Sequence, residues 1–168
     1  MTHPHRILGI DPGLGITGYG VIEVKAARPV LCEAGVLRTS DDHAIDMAEK
    51  LLSVYKGVVE VIAQFEPKVM AVEQLYAHYD HPRTAILMGH ARGVIFLAAT
   101  QQGIPVVSYA STQVKKLITG NGRASKDQVQ RTIQHELGLA QLPEPPDVAD
   151  ALAVALCHYY THKASGAA

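Results

Sequence analysis

At 168 residues with 48% hydrophobic content, the chain is long enough to bury one sizeable core, and two Phe with no Trp make that core aliphatic. No apolar run approaches the 18 or more residues that a membrane helix needs. The opening MTHPHRILGID has no long apolar stretch before its first acid, so neither a helical membrane span nor a signal peptide is expected, and the chain reads as cytoplasmic. The net charge of −1 is poor evidence for nucleic-acid binding, but it hides an asymmetry. Residues 41–77 carry seven acids and three bases, whereas Arg83, Arg92, Lys115, Lys116, Arg123, Lys126 and Arg131 face only Asp80 and Asp127 across residues 78–131. That basic block suits a polyanionic partner or a solvated helical surface. Cys32 and Cys157 have no metal or redox spacing and predict buried thiols in a reducing compartment.

Along the chain, RILGID is a short apolar run ending in an acid, with PGLG following at once as a turn. TGYGVIEV and PVLCEAGVLRT read as two further strands, and the short connections predict an antiparallel meander. From Ile45 to about Phe65, apolar residues recur at helical spacing, and Pro67 fits the turn beyond. KVMAVE is a buried strand, again ending in an acid. A helix over roughly Arg83–Gln101 precedes the short strand IPVVSY. Further helices are expected near Ser111, from the SKDQ capping box to about Leu137, and from about Asp147 onward. Strand–helix–strand units predict an α/β domain with a mixed sheet covered by helices. Without a repeat or a domain-scale linker, residues 1–168 read as one domain, with frayed ends at about 1–5 and 163–168.

The acids stand out against this plan. Asp11 follows Ile7, Leu8 and Ile10, and Glu73 follows Val69, Met70, Ala71 and Val72, so each charge ends a run that should be buried. Burying a carboxylate is costly unless it is paired, hydrogen-bonded or bound to a cation. In PPDVADALAVAL, Asp147 and Asp150 share one helical face a turn apart. They could be a cap and an ordinary first-turn acid. They could equally join Asp11 and Glu73 in one cluster, whose mutual repulsion a hard divalent ion such as Mg²⁺ or Mn²⁺ would resolve. Two such ions about 4 Å apart support phosphodiester hydrolysis. The nine scattered histidines form no zinc motif, and PGLG is not a nucleotide cradle, since Walker A and GxGxxG patterns are both missing. Gly13 and Gly15 instead predict a tight turn that brings backbone close to the acids.

Taken together, IDPGLGITGYGVI, AVEQLY, GHARGV, YASTQVKK with GNGRASKDQV, and PPDVADALAVAL resemble the bacterial RuvC Holliday-junction resolvases from about Arg6 to His162. The resemblance implies a ribonuclease H-like fold, a five-stranded mixed sheet flanked by helices. It implies an active site on Asp11, Glu73, Asp147 and Asp150 holding two divalent ions, with Lys115 and Lys126 near the scissile phosphate. It further implies a homodimer that cuts four-way DNA junctions by symmetric paired nicks, leaving 5′-phosphate and 3′-hydroxyl ends, in concert with a RuvA–RuvB branch-migration complex. Tyr76 takes the place of the aromatic residue that projects toward the junction centre, where stacking on an unpaired base is worth about 1–3 kcal/mol. Lys116 and Arg123 are candidates for backbone contacts, and the GNGRAS turn is expected to order on binding. HYDHPRTAI departs from the family pattern by an apparent extra residue and a missing Asn, so no cleavage-sequence preference carries over, although Tyr79 and His81 could add contacts. Gly89 and Gly93 predict close helix packing around Ala91 and Arg92. Two other functions remain open: a broader ribonuclease H-like nuclease, since metal and carboxylates do not identify the polymer, and a non-catalytic junction-binding protein.

Overall fold

A two-residue period sorts the first strand, β1 (Arg6–Asp11), between two cores. Ile7 joins one apolar cluster and Leu8 and Ile10 the other. Asp11 therefore falls on the Ile7 face. The computed structural model describes residues 5–39, 46–75 and 82–164. Within them β1 pairs antiparallel with β2 (Ile16–Lys25), which pairs with β3 (Arg28–Arg38), giving the expected meander. On its other side β1 pairs parallel with β4 (Val69–Glu73), and β4 with β5 (Val106–Tyr109), for a mixed sheet in the order β3-β2-β1-β4-β5.

Helices cover both faces. α1 (Met47–Phe65) and α2 (Pro82–Gln101) place Val54, Val58, Ile62, Ile95, Ala98 and Ala99 against Leu8, Ile10, Met70 and Val72. Asp46 caps α1 by accepting from the Glu49 amide at 2.9 Å. The opposite face carries α5 (Pro146–Ala164), with α3 (Ser111–Thr119) and α4 (Lys126–Glu136) packed outside it. Every residue of α5 from Ala151 to Tyr159 is buried, as its nearly all-round apolar sequence requires. Ser125 and Gln128 form the predicted capping box of α4. No helix among the described residues is long and apolar enough to cross a membrane.

Three expectations need correction. Gly89 and Gly93 do not seat another helix of the described chain: the space where a Cβ would stand on each is open to 4 Å, because they lie on the side of α2 turned away from the sheet core. The turn after α3 is held by contacts within the chain. Gly120 adopts a left-handed conformation, the Arg123 amide donates to Asn121 Oδ1 at 2.9 Å, and Ala124 is buried. Finally, Cys157 is a buried free thiol, but Cys32 is only half-buried because its strand lies at the sheet edge.

Candidate active site

Asp11 and Glu73 end adjacent parallel strands one step past the Ile10–Val72 pair. Alternation turns both carboxylates toward α5, on the side of Ile7, Val69 and Ala71. The chain leaves β1 through a turn locked by Thr17, a buried residue whose hydroxyl donates to the Gly13 carbonyl at 2.6 Å. A Cβ on Gly13 would meet the Ile16 carbonyl at 2.1 Å, so this glycine is required, whereas Gly15 has open space around it.

The first turn of α5 brings the remaining acids. It can do so because the sheet beneath it lacks side chains. A Cβ on Gly9 would stand 2.0 Å from the Ala151 carbonyl, one on Gly18 would stand 2.1 Å from the Asp147 carbonyl, and one on Gly20 would strike Leu152. Gly9 pairs with Gly20, and Gly18 with Asp11. The helix thus lies directly on the backbone, with Asp147 over the partner of Asp11. Gly18 and Gly20 alternate in the sequence with a strand period, a signal that a bare floor is present, but nothing local says which helix lies on it.

Asp11, Glu73, Asp147 and Asp150 line one open cavity of about 350 Å³ together with Lys115, Lys126, Ser111, Met88, Ile16 and Val129. A larger cavity, about 650 Å³, lies between β3 and α1, but there Glu49 and Glu60 are matched by Arg38 and Lys56. The acid cavity has no such balance. Burial, then Asp150, Asp147 and Glu73, push the Asp11 carboxyl up to about 8. Burial also raises Glu73, with the Ser111 hydroxyl opposing as a hydrogen-bond donor, and raises Asp150 against the pull of Lys126. Lys126 Nζ is 3.9 Å from Asp150 Oδ2 and its side chain is 75% exposed, so the ammonium is tethered loosely and can swing outward.

The donor set fits a hard cation: four carboxylates, no thiol and no imidazole line the cavity. Among the described residues, however, no three His, Cys, Asp or Glu side chains converge enough to hold an ion alone. The acids ring a space instead of a point. That suits Mg²⁺-like ions, which take one or two carboxylates and complete their shell with water and substrate phosphate.

The structure thus brings together all six residues expected at the reaction centre. Lys116 and Arg123 are exposed and stand outside the cavity lining. Tyr76, Tyr79 and His81 lie outside the described residues. Ser111, the three floor glycines and the cavity-lining Met88 escaped the sequence reading, because only packing places them.

Residues 7–158 match the family model for crossover junction endodeoxyribonuclease RuvC. A crossover junction endodeoxyribonuclease RuvC from Rhodopirellula baltica is 53% identical over 92% of this chain and 85% of its own length. The protein of the same name from Desulforamulus reducens is 46% identical over 90% and 91%. Among solved structures, Thermus thermophilus RuvC in complex with a Holliday junction substrate superposes with a TM-score of 0.87 at 35% identity, covering 96% of this chain and 97% of that one. The five-stranded mixed sheet with flanking helices is the ribonuclease H-like fold expected from the resemblance.

Proposed function

The chain belongs to the RuvC family of crossover junction endodeoxyribonucleases, and on that footing we propose that it is a divalent-metal-dependent endonuclease that resolves four-way DNA junctions by symmetric paired nicks. The observation that carries the reading is one cavity lined by four acids and two lysines, in which burial and then the neighbouring carboxylates push Asp11 up to about 8. Asp11, Glu73, Asp147 and Asp150 would hold the metal, two ions of Mg²⁺ or Mn²⁺ per site. Such ions, when bound, activate the attacking water and stabilise the leaving oxygen of the phosphodiester.

The chain's own groups supply the rest. Asp11, raised by burial and then by its three acidic neighbours, would hold the cation as a carboxylate once its proton is released. Lys126, loosely held by Asp150, and Lys115 hold the scissile phosphate as point charges and fix its register without reading bases. Lys116 and Arg123 extend the positive surface along the DNA backbone, and Tyr76 stacks at the branch point. Hydrolysis leaves 5′-phosphate and 3′-hydroxyl ends. We take residues 1–168 as one nuclease domain acting on DNA in the cytoplasm, alongside a RuvA–RuvB branch-migration complex.

Two like nicks need two sites, hence a homodimer with two-fold symmetry. The outer stripe of α2 supports this. Ile86 is 60% and Leu97 51% exposed, and between them Gly89 and Gly93 leave room for a second helix to approach.

The test is strand-resolved cleavage of a synthetic mobile four-way junction, with linear duplex, single-stranded DNA and RNA–DNA hybrid beside it, in EDTA, Mg²⁺ or Mn²⁺. Paired metal-dependent nicks confined to the junction are expected. Equal cutting of linear or hybrid substrates would instead identify a broader nuclease, and junction binding without cutting in either metal would identify a non-catalytic binder.

A further inference from the structure

Behind the acids, on the α1/α2 side of the sheet, lies Arg92. Its guanidinium donates from Nη1 to the main-chain carbonyl of Glu73 and from Nη2 to Ser108 Oγ at 2.8 Å. Its central carbon stands 4.6 Å from the centroid of the Phe96 ring, one helical turn further along α2. Met70 and Val72 pack toward this face, while Val69, Ala71 and hence the Glu73 side chain point to the α5 face. The same residue is therefore gripped on one side of the sheet by its carbonyl and offers its carboxylate on the other.

The place of this grip matters. Glu73 pairs with Tyr109, and the Gln74 amide donates to the Tyr109 carbonyl at 2.8 Å as the last rung joining β4 to β5. Beyond it the chain leaves the sheet, so neighbouring pairing constrains the peptide after Glu73 on one side only. A planar fork bonded at once to β4 and β5 sets the orientation of that peptide, and with it the direction in which the Glu73 carboxylate leaves the strand. Arg92 meets Glu73 at its main-chain carbonyl, so this contact acts on the geometry of the residue.

We propose that Arg92 is a positioning residue for the metal site: braced on Phe96 and Ser108, it aims the Glu73 carboxylate into the acid cavity by holding the Glu73 main chain from the opposite face of the sheet. The inference rests on the assignment of Glu73 as a metal ligand. Lysine cannot replace arginine in this role, because a single ammonium does not span a carbonyl and a hydroxyl on two strands in one plane. The consequence is that α2, which already lines the cavity with Met88, is also coupled to the reaction centre through Arg92.

The experiment compares full-length wild type with Arg92→Lys, Ser108→Ala and Glu73→Gln. Thermal unfolding over a Mn²⁺ titration reports metal binding, single-turnover nicking reports chemistry, and junction affinity is measured in EDTA. Arg92→Lys should raise the Mn²⁺ concentration at half-maximal stabilisation and at half-maximal nicking by about 10-fold or more, the scale expected when the support of a metal ligand is lost, with junction affinity within about twofold of wild type. Ser108→Ala should shift both midpoints in the same direction by less. An unmoved Mn²⁺ midpoint in Arg92→Lys, whatever its melting temperature, overturns the inference, as does a fall in junction affinity that matches the fall in nicking. Should Arg92→Lys fail to fold, Ser108→Ala decides, a wild-type midpoint there being equally fatal. Glu73→Gln separates the two levels. If it keeps the wild-type Mn²⁺ response, the ligand assignment fails and the inference with it; if it loses that response while Arg92→Lys does not, the inference alone fails.

Discussion

The two ends of α5 both carry buried or half-buried titratable groups over the same sheet, yet they are built on opposite rules. At the C-terminal end every such group has a partner. His158 Nδ1 and the Tyr109 hydroxyl are 2.8 Å apart, the Tyr159 hydroxyl donates to the Ala27 carbonyl at 2.6 Å, and His162 Nδ1 lies 3.0 Å from the His158 carbonyl. Burial, aided by His162 and His5, pushes His158 down to about 4, so it is neutral and structural. At the N-terminal end Asp11, Asp147 and Asp150 meet as like charges, and burial together with these neighbours pushes Asp11 up to about 8. Polar burial alone marks no site; burial that the chain's own groups leave unresolved points to one, because a proton or a cation must then be taken up.

The sharpest way to break the comparison is to neutralise one acid at a time. Asp147→Asn should fold and still bind a junction in EDTA while nicking falls by about 10³-fold or more, since several kcal/mol of metal-borne charge stabilisation is lost and each 1.36 kcal/mol is a factor of ten. Strand-resolved single-turnover rates check it. Gly18→Ala probes the floor: its methyl meets the Asp147 carbonyl at 2.1 Å, so the first turn of α5 must shift, and a misplacement on the order of 1 Å costs about 100-fold in rate. At the paired end, Tyr109→Phe should leave the rate and the Mn²⁺ midpoint untouched but cost about 1–3 kcal/mol by removing the partner of His158, which thermal unfolding measures.

The two ends also predict opposite pH slopes. Asp11 titrates higher in the folded state than its ordinary value of 3.8, so between about 4 and 8 the folded protein holds more protons and stability falls as pH rises. Saturating Mg²⁺ or Mn²⁺ should abolish that fall, and Asp11→Asn should raise the melting temperature at pH 8 without metal. His158 titrates below its ordinary 6.5, so its contribution is whole above pH 6.5 and is lost as pH falls toward about 4. His158→Gln should flatten the acid limb alone. Melting curves from pH 4 to 9, with and without metal, test both signs. The smallest effect belongs to Arg123→Ala: nicking at saturating junction unchanged, and the logarithmic salt dependence of binding shallower by about one unit.

Much of this was legible in the chain. The strand-end acids were visible as charges closing the apolar runs RILGI and KVMAV, and the helical spacing of Asp147 and Asp150 was visible in PPDVAD, because burial cost and helix period act over a few residues. The family resemblance pointed to Lys115 and Lys126 without saying that Lys116, next to Lys115, turns away to solvent. The corrected glycines show the limit from the other side. Gly89 and Gly93 had the spacing of a helix contact and have open space, whereas Gly9, Gly18 and Gly20 lie under the most buried helix in the described chain.

By itself the sequence determined the local facts: roughly where each element lies, which residues share a face, and that Asp11 and Glu73 close runs where water would be scarce. Only the tertiary structure decided that Asp11 and Asp147, 136 residues apart, meet. It likewise decided that Arg92 holds Glu73 from behind and that α5 covers the glycine floor. The periods of strand and helix say which way a side chain points, but not what stands opposite it. That is settled when two surfaces far apart in the chain pack together, and here a bare strip of backbone let one helix come close enough to crowd its acids against those of the sheet.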